Sequence, residues 1–346
     1  MHPRPMHPTL PVRLCLAPHR SVLVVVACSR RLGLDPDAGL VVDGLHPALA
    51  LMLDELDGAV EVARLVAGAE RRGAPAGAVE NLLRRLLDAD ALVDARAPQR
   101  SRDRRAGSTV LVVGDGPLTA GIVTGLVQAG VGTVHVTARG TVREADLGTG
   151  LLDADRGRDR GTAIGAAAAR LVPGAGVGPP PRRSVPDLVV FGDAQAPDPE
   201  AVARLVVDGA AHLLVRLRDG TGVVGPLVLP GRTACLRCLE LRRSERDPGW
   251  PGVAAQLVGR SGRADPACVS ATAAFGTAQV LAFLDGTAAP GTLNCTIELD
   301  VGAATTRHRR WSPHPTCTCG AAAAGGGPRH PWATCAAPRT RGTMRS

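Results

Sequence analysis

Two cysteine pairs far apart in the chain, Cys235-Leu-Arg-Cys238 and Cys317-Thr-Cys319, restrict its fold more than any other feature. Each pair sits in a turn context. Thiolates at this spacing can point at one tetrahedral centre, and two such pairs complete a structural zinc site. The chain between residues 238 and 317 must then fold back on itself. The second pair is tighter than the usual CxxC, and His314, three residues before Cys317, is an alternative ligand. The competing reading is a redox or unliganded cysteine set. Close pairs without a secretory signal point to metal before disulfides. The isolated Cys15, Cys28, Cys268, Cys295 and Cys335 read as small core hydrophobes or tail thiols.

The 346 residues suffice for two domains and a sizeable core. Aromatics are only 2%, with no Tyr, so that core is built from Leu, Val and Ala. All 40 basic residues are Arg, the bias of a GC-rich genome. The net charge of +8 suggests nucleic acid, but its location argues otherwise. Residues 100–105 carry +3, and Arg329, Arg339, Arg341 and Arg345 of the tail carry +4. The folded parts are near neutral, so no nucleic-acid partner is expected. No apolar run approaches the length of a membrane span. The run Val22 to Cys28 is short for a signal h-region and reads as a strand, so a cytoplasmic protein without a membrane partner is expected.

Residues 1–8 read as a disordered leader and 9–96 as a compact α+β unit. Strands are expected at Val22–Val26 and Leu40–Val42, and helical periodicity covers His46–Leu56, Val60–Arg72 and Ala76–Ala89. Residues 97–107 read as a basic linker. From 108 to 320, strands alternate with helices, the signature of an α/β fold. Strands fall at Thr109–Val113, Thr133–Thr137, Asp187–Phe191, His212–Leu217 and Val223–Leu229. Helices fall at Leu118–Ala129, Gly161–Leu171, Pro199–Asp208 and Val269–Leu284, and residues 321–346 read as a disordered tail.

Gly114-Asp-Gly116-Pro-Leu-Thr119 follows a strand and opens a helix, the placement a phosphate-cradling loop needs. Thr119 stands where a third glycine would be. The second strand ends Val136-Thr-Ala-Arg139, without the carboxylate that holds ribose hydroxyls in NAD enzymes, and Arg139 suits a 2′-phosphate. A strand–turn–helix that binds nothing is the alternative.

Over residues 110–320 the sequence resembles the ThiF/MoeB (ubiquitin-activating-enzyme-like) superfamily. The glycine loop, Ala129-Gly-Val-Gly132, Asp155-Arg-Gly-Arg158-Asp-Arg160, the strand ending in Asp193, Pro230-Gly231 before Cys235, and Gln279 before the second cysteine pair occur in that family's order. The resemblance implies a Rossmann-like sheet with structural zinc, a homodimer, and ATP with magnesium held by Gly114, Gly116, Arg158, Arg160 and Asp193. The sequence departs from the pattern at the ribose carboxylate, at 147–151, and at Arg160, which replaces a lysine. The ATP site thus reads as eroded, no catalytic residue is assigned, and whether the chain is an enzyme stays open.

Residues 46–58 and 79–93 resemble a PqqD-type winged-helix module, whose members bind a precursor's leader peptide on a strand edge beside the third helix. ThiF-like chains fused to this module resemble the leader-binding partners of YcaO cyclodehydratases, which make azolines in ribosomal peptides. The expected role is a leader-peptide-binding scaffold for a YcaO-type partner. The alternative is an ATP-dependent adenylyltransferase of a peptide or sulfur-carrier C-terminus. A DNA-binding winged helix is disfavoured, because Glu80, Asp88 and Asp90 accompany Arg84 and Arg85 on the third helix.

Overall fold

The computed structural model describes residues 10–37, 39–182 and 184–323. The expected leader at 1–8, Cys335 and the tail from 324 onward lie outside the described residues. Within them the chain divides into two compact units, residues 10–100 and 101–323.

The first unit contains β1 (Arg13–Leu16), β2 (Val22–Val26), β3 (Ser29–Leu32), β4 (Leu40–Val42), α1 (Pro47–Asp54), β5 (Asp57–Glu61), α2 (Val62–Arg71), α3 (Ala78–Asp88) and β6 (Leu92–Asp94). Two antiparallel sheets form, in the orders β5-β1-β6 and β2-β3-β4. Apolar residues at helical spacing, Met52 and Leu53 of α1, Leu65 of α2, and Leu82, Leu83 and Leu86 of α3, bury one shared core with Leu14 and Leu32. Where periodicity carries the second helix back to Val60, the chain instead makes β5, because Gly58 at φ 86° and pairing with β1 favour an extended path. Arg30 is buried and forked onto Asp54 by two 2.9 Å hydrogen bonds, tying the second sheet to α1.

Residues 97–106 are helical, as α4 (Ala97–Ala106), with no buried side chain. Ala, Gln and Arg are good helix formers, and Pro98 falls in the first turn, where a missing N–H costs nothing. Arg105 closes a two-pronged ion pair on Asp285 at 2.6 and 2.7 Å.

The second unit is built on β7 (Thr109–Val113), α5 (Pro117–Gln128), β8 (Thr133–Thr137), α6 (Arg160–Leu171), β9 (Val177–Gly178), β10 (Leu188–Gly192), α7 (Pro199–Val207), β11 (His212–Arg218), β12 (Thr221–Val228), α8 (Leu236–Arg246), α9 (Trp250–Leu257), α10 (Pro266–Asp285), β13 (Cys295–Asp300) and β14 (Thr305–Arg310). Its eight-stranded sheet runs β14-β13-β12-β11-β10-β7-β8-β9. Strands from β11 to β9 in that order are parallel, and β12, β13 and β14 add antiparallel. This is a mixed α/β fold with a central sheet. α5 and α10 pack on one face, so tightly that a Cβ on Gly121 would lie 2.8 Å from Ala273. Contrary to the expectation that no apolar run approaches the length of a membrane span, α10 is long and apolar enough by length and composition to cross one; here Thr272, Ala273, Gly276 and Val280 are buried. The other face carries a separate core of Phe191, Leu214, Val228, Leu236 and Trp311.

Candidate functional site

The four predicted cysteines converge. Cys235 and Cys238 straddle the N-terminus of α8, and Cys317 and Cys319 follow β14. The Sγ–Sγ distances are 3.7 Å for Cys235–Cys238, 3.6 Å for Cys235–Cys317 and 3.6 Å for Cys238–Cys319. A tetrahedron of thiolates about 2.3 Å from zinc has edges of about 3.8 Å. The donor set therefore fits a structural zinc ion, which would tie α8 to the chain after β14. A hydrogen bond with Cys238 and burial push the Cys235 thiol up, and burial pushes Cys317 up to about 11. The same bond from Cys235 draws Cys238 down to about 4.

His314, the alternative ligand, does not join the four. Its backbone N–H donates to Cys238 Sγ at 3.3 Å and its ring bonds Glu245 at 2.7 Å. Nδ1 accepts from the Thr316 amide at 3.2 Å, so Nε2 carries the proton toward Glu245. Such outer bonds fix the orientation of a metal-binding loop.

The glycine loop lies where the sequence puts it, between β7 and α5. The amides that open α5 are bonded by a side chain of the protein itself. Asp193, after β10, accepts from the Leu118 amide at 2.9 Å, the Thr119 amide at 3.0 Å and the Thr119 hydroxyl at 2.7 Å. The glycines make room for this contact. A Cβ on Gly116 would lie 2.7 Å from Asp193 Oδ1, and one on Gly114 would lie 2.2 Å from Thr119 Oγ1. Asp193 adopts φ 67°, a left-handed conformation that costs an L-residue about 1–2 kcal/mol. Burial pushes its carboxyl up, against the pull of the three hydrogen bonds.

Both arginine candidates are engaged elsewhere. Arg160, at the start of α6, forms a buried ion pair with Asp146 at 2.7 Å and donates to the Thr141 carbonyl at 2.8 Å and to the Arg139 carbonyl. Arg158 pairs with buried Asp155 at 2.6 Å, which Arg170 also holds at 2.7 Å. Gly114, Gly116 and Asp193 thus meet, whereas Arg160 is held by Asp146 and Arg158 by Asp155. Asp115 accepts from the Arg139 amide at 2.5 Å, closing the loop against the end of β8. Gln279 accepts from the Thr292 amide at 3.1 Å, a structural contact.

The segment Asp247–Pro251 leads into α9, with Pro251 in the first turn and Trp250 bonded to Glu240. Beyond α9, Ser261 bridges Ala194 and Val258 bridges Ala196, so residues 258–262 lie along the chain that leaves β10. A cleft of about 410 Å³ opens beside the cysteine cluster, lined by Arg242, Glu245, Arg246, Arg310, Trp311 and Ser312. No glycine-loop residue lines it.

No protein-family model matches the sequence, and no curated protein matches it. The fold, in contrast, is that of a known class of α/β protein. The chain is similar to E. coli MccB bound to ATP, with a TM-score of 0.70 and 14% identity over 88% of this chain and 99% of that one. It is similar to the microcin C7 biosynthetic enzyme MccB in complex with N-formylated MccA, with a TM-score of 0.69 and 14% identity over 89% and 99%. A heterocyclase in complex with substrate and cofactor matches with a TM-score of 0.57 and 18% identity, covering 90% of this chain and 40% of that one.

Proposed function

We propose that this chain is a ThiF/MoeB-type protein that works as a peptide-binding scaffold. Residues 9–96 act as a PqqD-like module holding the leader of a ribosomal precursor, and the chain presents the core peptide to a YcaO-type cyclodehydratase. Structural zinc, a homodimer and a cytoplasmic location belong to the same reading. The observation that carries it is the Asp193 carboxylate on the Leu118 and Thr119 amides, where a nucleotide phosphate would sit. A protein that fills its own phosphate position is suited to holding a peptide rather than activating it.

Two further observations support the reading. Among the described residues β2 and β4 pair with no further strand, and β2 exposes Val24, Val25 and Val26 at 66%, 56% and 55%. An open aliphatic edge is a template for strand addition by a peptide. MccB is known with the peptide MccA, so the fold accommodates a peptide partner elsewhere. Calorimetric titration of leader peptides encoded beside this gene tests it. One of them binds the full chain one-to-one, and Val24→Pro or Val41→Pro weakens it about tenfold, locating the edge. Heat from none of them overturns the reading.

The second reading is an adenylyltransferase, favoured by the likeness to MccB bound to ATP. Asp193 would then have to leave α5 and turn to magnesium, with Gly114, Gly116, Arg158 and Arg160 around ATP.

A further inference from the structure

Arg216, on β11, is only 7% exposed. One guanidinium nitrogen donates to the Gln195 carbonyl, and its Nε has no partner. Among the described residues it forms no ion pair. The two carboxylates whose charge reaches it, Glu240 and Glu298, are engaged by others. Glu240 accepts from Arg243 at 2.5 Å and from the Trp250 indole. Glu298 pairs with Arg309 at 3.0 Å and Arg218 at 3.2 Å. Four arginines therefore share two carboxylates. Burial, then the charge of Arg243, lower Arg216 to about 10, so it remains a cation at neutral pH.

A buried cation without a counterion is among the most costly features a fold can carry. It persists where an anion arrives to satisfy it. The surroundings admit one. α9 packs against α8, which carries Glu240 and Arg243, without a single buried side chain, so little apolar contact holds it down. Its attachment at the near end is the Trp250 indole on Glu240 and the Arg243 guanidinium 5.2 Å from the Trp250 ring. Its far end is fixed: the Gln195 amide donates to Arg260 at 2.8 Å, and a Cβ on Gly262 would lie 1.9 Å from the Leu217 carbonyl. The segment is thus hinged at 258–262 and lightly latched at Trp250.

We propose that Arg216 is the centre of an oxyanion-binding site beneath α9, taking a carboxylate or phosphate group on its free guanidinium edge. Arg's planar fork suits both groups, and Arg243 supplies a second positive charge beside it. This site is on the second unit and is independent of the leader-binding reading, which rests on residues 9–96.

Tryptophan fluorescence of the full chain tests it, since Trp250 and Trp311 both flank Arg243. The probes are inorganic phosphate, an N-acetylated peptide without acidic side chains that ends in a free carboxylate, and its C-terminal amide. A saturable change with phosphate, with the free acid, or with both is expected, and none with the amide. Which of the two acts tells the source of the anion. Arg216→Met weakens the response about tenfold or more, and Arg216→Lys restores part of it. If Arg216→Met fails to fold, the contrast between acid and amide in the unaltered protein, with Trp250→Leu as the second variant, still decides. No response to phosphate or free acid, or unchanged affinity in folded Arg216→Met, overturns the proposal.

Discussion

The Asp193 carboxylate sits on Thr119, accepting from its amide at 3.0 Å and its hydroxyl at 2.7 Å. A side chain from the end of β10 thereby caps the helix that the glycine loop opens. The same glycines that would let a phosphate approach instead admit this carboxylate.

Asp193→Ala should leave the buried Leu118 and Thr119 amides unpaired. Each such group costs about 1–3 kcal/mol. The second unit should lose about 2–4 kcal/mol, measured by urea unfolding. A loss below about 0.5 kcal/mol would mean water replaces the carboxylate without penalty.

The ion pair of Arg160 and Asp146 is buried on both sides, with side chains 7% and 8% exposed. Asp146→Ala strands the cation and should cost about 3–5 kcal/mol. The double variant Asp146→Leu with Arg160→Met should cost clearly less, because no charge is then left behind. Equal costs in urea unfolding would show that packing, not charge, is at stake.

The cysteine cluster was legible from spacing alone, because ligand spacing is a local constraint. The β7–loop–α5 unit was legible because a buried apolar run precedes two glycines and a proline. Other parts depend on partners distant in the chain. β14, Thr305–Arg310, has an entirely polar sequence and is a strand because β13 supplies its hydrogen bonds. β13 itself was missed, as were β1, β3, β5 and β6, none of which is an unbroken run of Val, Leu and Ile like β2 or β4. Arg216 looked like any strand arginine, and only the structure reveals that Glu240 and Glu298 are committed elsewhere. The residues that the resemblance assigns to a nucleotide were named by type and order, yet their bonds to Asp146, Asp155 and α5 could not be read from either.

Zinc removal has a defined outcome. The purified protein should contain about one zinc per chain, and Cys317→Ser should lose it. The melting temperature should then fall by about 10 °C or more, since a few kcal/mol corresponds to several degrees in a domain of this size. Metal analysis showing no zinc in the unaltered protein contradicts the assignment.

The acid limb of stability should involve Asp155. The hydrogen bond from Arg170 is the largest cause that holds its carboxyl below the usual range, with burial opposing. A carboxyl with a lowered folded pKa contributes stability above its unfolded value, about 4, and the contribution is lost as pH falls through the folded one. Asp155→Asn should therefore lower the melting temperature at pH 7 and have less effect near pH 3. An equal drop at both pH values would point to lost packing alone.

ATP–pyrophosphate exchange by the full, zinc-loaded chain, with leader and core peptides present, tests the central claim most directly. A protein whose loop is filled by Asp193 gives no exchange above background with any of them. Peptide-dependent exchange that Arg160→Ala or Asp193→Ala abolishes would contradict the scaffold reading and establish an adenylyltransferase.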